Sequence, residues 1–93
     1  MVYDDPEFDP RKEAANLRKH GVSLTEGAGV LGDPWALTIE DEAALGESRY
    51  VTIGTNVFGV VMVVVHTPRG NRTRIISVRR AEPRERREYE KGI

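Results

Sequence analysis

The chain of 93 residues contains no cysteine, which excludes disulfide bonds, thiol catalysis and cysteine-ligated zinc. Long apolar runs are also missing, because the longest one, Val60 to Val65, is far too short to span a bilayer. The N-terminus lacks the basic start and apolar stretch that a secretory signal requires. We therefore expect a cytoplasmic protein without a membrane segment, folded as one domain over residues 1–93.

Several motifs that mark enzyme classes are absent from the sequence. It contains no Walker loop, no GxSxG elbow and no GxGxxG fingerprint, which argues against nucleotide cofactors and a serine triad. The two histidines, His20 and His66, are widely separated, so we expect no histidine-based metal site. No cofactor is therefore expected.

Charge is distributed unevenly along the chain. The first 48 residues contain 4 basic and 11 acidic side chains, whereas the remaining residues contain 10 basic and 4 acidic ones. Such asymmetry indicates contact with nucleic acid or with a charged protein partner. The alternative is that these charges are simply solvated surface, as most charge runs are.

Two helices are predicted in the first third of the chain. Asp9 followed by Pro10 is typical of a helix start, and Gly21 ends this helix after a basic last turn. Its inward residues are expected to be Ala14, Ala15 and Leu17. The segment Ser23–Glu26 fits a capping box that opens a second helix ending near Leu31, although the glycines within it lower its helix propensity.

Strands and a final helix complete the predicted fold. Alternating and apolar segments joined by short connections predict four strands, at residues 35–39, 49–55, 60–67 and 72–79. The first eight residues can supply one further short strand, and Pro83 and Gly92 bracket a charged helix. The predicted class is α+β, with an antiparallel sheet of about four strands, two N-terminal helices and one C-terminal helix.

The last strand and the helix after it carry most of the candidate phosphate-binding groups. Strict alternation places Ile76 and Val78 on one face with Arg74 and Arg80, and Ile75 on the other face with Arg79. Arg79 and Arg80 directly follow the apolar part of the strand, so their backbone is well fixed. Guanidinium groups held by a rigid element suit phosphate recognition.

Two other residues are candidates for proton transfer. His66 ends the central strand and can act as an acid or base near neutral pH, although it is alternatively a half-buried structural histidine. Glu85, in the first turn of the final helix, can act as a general base if it points toward Arg79. Its alternative role is that of a surface partner for neighbouring arginines. His20 is explained by its place at a helix C-terminus.

Two segments together match a known family pattern. The first is Phe8–Pro10 with Asn16–Ser23, and the second is Arg74–Ala81 with Glu85, Arg86 and Tyr89. With these segments the chain resembles the BrnT family of ribonuclease toxins, from type II toxin–antitoxin systems of the RelE-like kind. The likeness covers nearly the whole chain in order, which makes it more specific than any single motif.

The resemblance implies a compact α+β toxin that cleaves RNA, inhibits translation and growth, and is silenced by a BrnA-type antitoxin. In that family the antitoxin carries a dimeric ribbon-helix-helix DNA-binding part, so a heterotetramer is expected. By position, Arg79 matches the family's arginine after the last strand and Glu85 matches its helix glutamate. His66 occupies a strand-end position that is polar or basic in relatives.

The resulting hypothesis is a metal-independent endoribonuclease in which the substrate's own 2′-hydroxyl attacks the adjacent phosphate. Arg79, Glu85 and His66 are the expected catalytic residues, with RNA bound by Arg80, Arg74, Arg72, Arg69 and Lys12. One alternative is a non-catalytic module that binds nucleic acid or protein, although dispersed aromatics give no stacking platform for single strands. Another is a structural subunit whose basic helix serves only its partner.

Overall fold

A computed structural model describes residues 6–41 and 48–92 of the chain. The helices in these ranges are α1 (Pro10–His20), α2 (Glu26–Leu31) and α3 (Pro83–Lys91). The strands are β1 (Leu37–Glu40), β2 (Tyr50–Thr55), β3 (Val61–Arg69) and β4 (Arg72–Arg80). The strands form one antiparallel sheet in the order β1-β2-β3-β4. The predicted α+β class, with two helices before the sheet and one after it, is confirmed.

Helix α1 begins and ends where its local signals predict. The Asp9 side chain accepts a hydrogen bond from the backbone N–H of Arg11, 2.8 Å long, and Pro10 is the first helical residue. Gly21 ends the helix with a φ of 69°, in the left-handed region that favours glycine. The inward face was predicted wrongly, because Ala14, Ala15 and Leu17 are all exposed.

The buried residue of α1 is polar. The Asn16 amide nitrogen donates to the carbonyl oxygens of Val22 and Val78, both 2.8 Å away. Its amide oxygen accepts from the Val78 N–H at 3.2 Å. Because β4 is the last strand of the sheet, the Asn16 side chain satisfies backbone groups that would otherwise lack a neighbouring strand. Helix α1 is therefore attached to the sheet by hydrogen bonds rather than by an apolar stripe.

Helix α2 starts without the predicted capping box. The Ser23 hydroxyl donates to the Glu13 carboxylate at 2.7 Å and accepts from the Thr25 N–H at 3.2 Å, so it does not cap Glu26. Thr25 is the N-cap residue and makes no side-chain capping hydrogen bond. Glu13 also accepts from the Leu24 N–H at 2.8 Å, which connects α1 to the start of α2.

The main core lies between α2 and one face of the sheet, which we call the core face. It is formed by Val22, Leu24, Val30, Leu31, Met62, Val64, Ile75 and Val78, with Phe8 packed against it. Gly27 allows α2 to approach the sheet closely, because a Cβ atom there would lie 3.0 Å from methyl groups of both Ile75 and Val78.

A β-bulge changes the predicted alternation of β4. Val65 pairs with Ser77 while His66 pairs with Ile75, so Ile76 has no residue opposite it. Ile75 and Val78 consequently share the core face, and the prediction that Ile76 accompanies Val78 is wrong.

Helix α3 lies against the other face of the sheet. Arg79 pairs with Val63, which is fully buried although it is outside the core-face cluster. The same face carries Leu37, whose Cδ2 would lie 3.6 Å from a Cβ on Gly92 at the end of α3. The sheet therefore has helices on both faces.

The described part of the N-terminal segment pairs with the edge of the sheet. Glu7 forms an isolated parallel bridge with Arg74, through hydrogen bonds of 2.9 Å to Thr73 O and from Ile75 N. The further short strand predicted for residues 1–8 falls mostly outside the described residues. None of the helices described here is long and apolar enough to cross a membrane.

Candidate functional site

Arg79 and Glu85 contact each other at the junction between β4 and α3. Arg79 is the penultimate residue of β4, and the short connection through Ala81 and Glu82 brings the first turn of α3 beside it. The two terminal nitrogens Nη1 and Nη2 of Arg79 each lie 2.7 Å from a different Glu85 carboxylate oxygen. Nη1 also donates to the Arg80 carbonyl at 3.2 Å, and the Glu82 N–H donates to Glu85 at 2.8 Å. These contacts fix the guanidinium in one orientation.

Each member of the Arg79–Glu85 pair shifts the pKa of the other. The hydrogen bond from Arg79 lowers the pKa of the Glu85 carboxyl below its ordinary value, although partial burial opposes this. The hydrogen bond to Glu85 in turn raises the pKa of Arg79. Both side chains are therefore charged near neutral pH, and Glu85 is a weak proton acceptor there.

Arg79 also lines a groove between α1 and β4, which we call the edge groove. Its volume is about 390 Å³, and it is lined by Lys12, Ala15, Asn16, Lys19, His20, Ile76, Ser77 and Arg79. Both the helix and the strand contribute cationic groups, and none of the described lining residues is acidic. This lining suits an anionic ligand such as a phosphodiester and repels a metal cation.

His66 lies in the interior on the core face of the sheet. Its Nε2 atom lies 2.8 Å from the Thr52 hydroxyl, which lies 2.7 Å from the Thr38 hydroxyl. The ring stacks on Tyr50 with 5.9 Å between centroids. Burial lowers the pKa of His66 below its ordinary value, so the ring is neutral at pH 7. The structure does not bring His66 together with Arg79, which belongs to the opposite face.

The predicted RNA-binding arginines are divided between the two ends of β4. Arg69, Arg72 and Arg74 surround Glu7, with nitrogen–oxygen distances of 3.8, 3.9 and 3.0 Å respectively. Arg74 and Arg79 are five residues apart, which corresponds to about 16 Å along a strand. Of the predicted RNA-binding residues, Lys12 lines the edge groove and Arg80 is exposed beside Arg79.

Sequence reasoning missed Lys19, His20 and Ser77 as members of the site. A signal was present, because Lys12 and Lys19 are seven residues apart and therefore share one face of α1. Only Lys12 of this pair was predicted to bind RNA, and Leu17 with two alanines was expected on the inward face. The burial of Asn16 rotates the helix and turns the lysines toward β4.

Comparison with known proteins identifies the class to which this fold and site belong. A family model described as "Ribonuclease toxin, BrnT, of type II toxin-antitoxin system" matches residues 8–85, a range that includes the edge groove, Arg79 and Glu85. The protein is thus a ribonuclease toxin of a type II toxin–antitoxin system. Within that class the chain belongs to the BrnT family, as the sequence resemblance predicted.

A solved structure agrees with this assignment at the level of the fold. The crystal structure of the Brucella abortus ribonuclease toxin BrnT, at 1.1 Å resolution, superposes with a TM-score of 0.65 and 24% sequence identity. The match covers 83% of this chain and 95% of that one. A search of curated proteins finds no significant match.

Proposed function

We propose that the protein is a metal-independent endoribonuclease that cleaves RNA at the edge groove and thereby inhibits translation and growth. The substrate's 2′-hydroxyl attacks the adjacent phosphorus, which leaves a cyclic phosphate and a free 5′-hydroxyl. The observation that carries this proposal is the Arg79 guanidinium, fixed by Glu85 and lining a groove that Lys12 also lines. Family membership supports the ribonuclease activity.

Arg79 is assigned to charge stabilisation. A guanidinium carries five N–H donors. Three of them are used in the hydrogen bonds to Glu85 and to the Arg80 carbonyl. Two N–H groups, on Nε and Nη2, lie outside these hydrogen bonds and form a fork suited to two phosphate oxygens. A donor fixed before the reaction stabilises the negative charge that develops on the phosphorane without reorganisation.

Glu85 is assigned as a positioning residue for Arg79. Its lowered pKa makes it a poor base near neutral pH, whereas its two-point contact aligns the guanidinium. The catalytic role of His66 stays a prediction from the sequence. Its hydrogen bond to Thr52 inside the core favours a structural role.

The antitoxin is the second partner in this proposal. Family membership implies an antitoxin. We propose that it is of the BrnA type, with a ribbon-helix-helix DNA-binding part and a heterotetrameric complex. Helix α3 exposes three arginines, Arg84, Arg86 and Arg87, which can pair with carboxylates of a partner segment, although Glu88 and Glu90 are exposed on the same helix.

The decisive experiment is RNA cleavage by the purified protein in the presence of a chelator. We expect scission with cyclic phosphate ends, and a loss on the order of 100-fold or more in rate for Arg79→Ala, as for other fixed charge-stabilising donors. Arg79→Ala should also lose growth inhibition while remaining folded, as judged by circular dichroism.

Three outcomes would change this assignment. RNA binding without scission would support a non-catalytic binding module, and cleavage that requires a divalent cation would remove the metal-independent mechanism. A folded Arg79→Ala variant with full toxicity would exclude Arg79 from the chemistry.

A further inference from the structure

The proposed reaction requires a group that accepts the proton of the attacking 2′-hydroxyl. Neither acid–base candidate from the sequence is well placed for this task. Glu85 is held by Arg79 in a pair that keeps it ionised, and His66 is buried on the other face of the sheet from Arg79. A proton acceptor must be within hydrogen-bond reach of the substrate that Arg79 binds.

His20 lies in the same groove as Arg79. It is the last residue of α1, is half-buried, and lines the edge groove together with Lys12 and Lys19 from the same helix. Ser77 and Arg79 line the groove from β4. A phosphodiester bound between these residues would have an imidazole on the helix side and a guanidinium on the strand side.

The separation of the two sides of the groove is fixed by Asn16. Its side chain makes three hydrogen bonds, two of them to the backbone of Val78, which directly precedes Arg79. The helix that carries His20 and the strand that carries Arg79 are therefore tied together by buried hydrogen bonds close to both residues. A rigid connection of this kind is what a preorganised catalytic site requires.

The charged groups around His20 suit the binding of a phosphate beside its imidazole. The charged groups that line the groove with it are Lys12 and Lys19 from α1 and Arg79 from β4, and all of them are cations. The carbonyl end of the α1 dipole lies beside His20 and complements the positive charge that the imidazole gains during the reaction. Imidazole is also the side-chain type that ordinarily exchanges protons near neutral pH.

We propose that His20 is the general base of RNA cleavage, with Lys12, Lys19 and Arg79 as ligands of the scissile phosphate. This inference rests on the proposed ribonuclease function. The neutral imidazole of His20 takes the proton of the 2′-hydroxyl, and the 2′-oxygen forms a bond to phosphorus. The bond from phosphorus to the 5′-oxygen breaks, its electron pair leaves with that oxygen, and solvent water protonates it. The imidazolium returns its proton to water.

The first test compares single-turnover cleavage by the wild-type protein and His20→Gln, with chelator present, between pH 5 and 8. We expect His20→Gln to lose about 100-fold or more in rate, and to lose the acidic limb of the wild-type pH profile. Its affinity for an uncleavable 2′-O-methyl RNA should change little. Imidazole added to His20→Ala should restore part of the rate, which a purely structural role would not allow.

Arg18→Gln is the matched control variant. Arg18 lies in the same last turn of α1, is basic and exposed, and is not among the residues that line the groove. We expect Arg18→Gln to cleave at the wild-type rate with the wild-type pH profile. An equal loss in both variants would show that only the charge of this turn matters, and would overturn the role of His20.

A second measurement uses the unaltered protein and does not depend on how a variant folds. The chain contains only two histidines, so a preparation without a histidine tag gives two imidazole signals in NMR spectra. Addition of 2′-O-methyl RNA should shift the His20 signal and leave the His66 signal in place. An unmoved His20 signal at saturating RNA would refute the proposal.

Failure of this inference is distinguishable from failure of the proposed function. Wild-type protein that leaves RNA intact would overturn the ribonuclease proposal itself. Wild-type cleavage with an unchanged rate and pH profile in His20→Gln would leave the ribonuclease proposal standing and would remove His20 from it.

Discussion

Glu85 holds the guanidinium of Arg79 with both carboxylate oxygens, each 2.7 Å from a different terminal nitrogen. The contact joins the end of β4 to the first turn of α3, and both side chains are partly exposed. Partly exposed ion pairs contribute on the order of 1 kcal/mol or less to stability, and a two-point contact such as this one lies at the upper end of that range. Its main effect is geometric, because it fixes the orientation of the guanidinium beside the edge groove.

The first prediction follows from that geometry. Glu85→Gln keeps the shape of the side chain but replaces one accepting oxygen with a donor, so the guanidinium should rotate away from its present orientation. We expect kcat to fall on the order of 100-fold, as for other small misplacements of catalytic groups. The apparent KM should change little, because Lys12 and Lys19 still attract RNA. Steady-state kinetics on a defined oligoribonucleotide measures both.

Glu88→Gln provides the control for this prediction. Glu88 lies on the same helix and forms an exposed ion pair with Lys91, at 3.3 Å, so its loss removes the same charge without contacting Arg79. Its kcat should match that of the wild-type protein. If Glu85→Gln and Glu88→Gln behave alike, Glu85 does not position Arg79.

The second prediction concerns the two glycines within α2. A Cβ on Gly27 would lie 3.0 Å from Ile75 and Val78 and 3.3 Å from Val64, three residues that are completely buried. We expect Gly27→Ala to lower the free energy of unfolding by about 1–3 kcal/mol through overpacking. Urea unfolding followed by circular dichroism measures this change.

Gly29→Ala is the matched variant and should have the opposite effect. A Cβ on Gly29 would meet Val57 at 3.5 Å, an ordinary van der Waals contact, and the position is exposed. Alanine should therefore raise the free energy of unfolding by about 0.5–1 kcal/mol, because it orders the helix at a lower entropic cost. Equal effects of the two substitutions would contradict the close approach of α2 to the sheet at Gly27.

The third prediction is a pH dependence of stability that originates in His66. Burial lowers its pKa in the folded protein below the ordinary value of 6.5, so the unfolded chain binds the proton more readily. The free energy of unfolding should therefore decrease as the pH falls through 6.5, until the lowered folded pKa is reached. Urea unfolding measured at intervals between pH 5 and 8 detects this slope.

One variant tests whether His66 is the source of the slope. His66→Gln should be less stable at pH 7, because it loses the stacking on Tyr50, but its stability should depend less on pH in this range. A slope that persists in His66→Gln would assign it to another group.

Local sequence signals were sufficient for the order and the approximate limits of the elements. Asp9 with Pro10, Gly21, and Pro83 with Gly92 mark helix ends through backbone chemistry that acts within a few residues, and the structure confirms them. The four strands follow from apolar segments between turn residues. Ser23 shows the limit of this reasoning. Its hydroxyl donates to Glu13, ten residues earlier in the sequence, and therefore does not cap the start of α2.

The arrangement of the site was harder to predict from the sequence than the order of the elements. The sequence left two roles open for Glu85, a general base pointing toward Arg79 or a partner for neighbouring arginines, and the short connection before α3 brings it into contact with Arg79. The orientation of α1 was not predictable, because it depends on Asn16 binding the backbone of Val78, a polar contact across 62 residues. The bulge at Ile76 likewise depends on pairing between strands, and no local pattern reveals it.

The attachment of α1 by Asn16 has a consequence for how such a toxin can be restrained. The hydrogen bonds that complete the tertiary structure also set the width of the edge groove. Under the proposed mechanism, the folded molecule therefore needs no substrate-induced closure to bring the imidazole and the guanidinium together. We propose that restraint then comes from an antitoxin that covers the edge groove and is made at least as fast as the toxin.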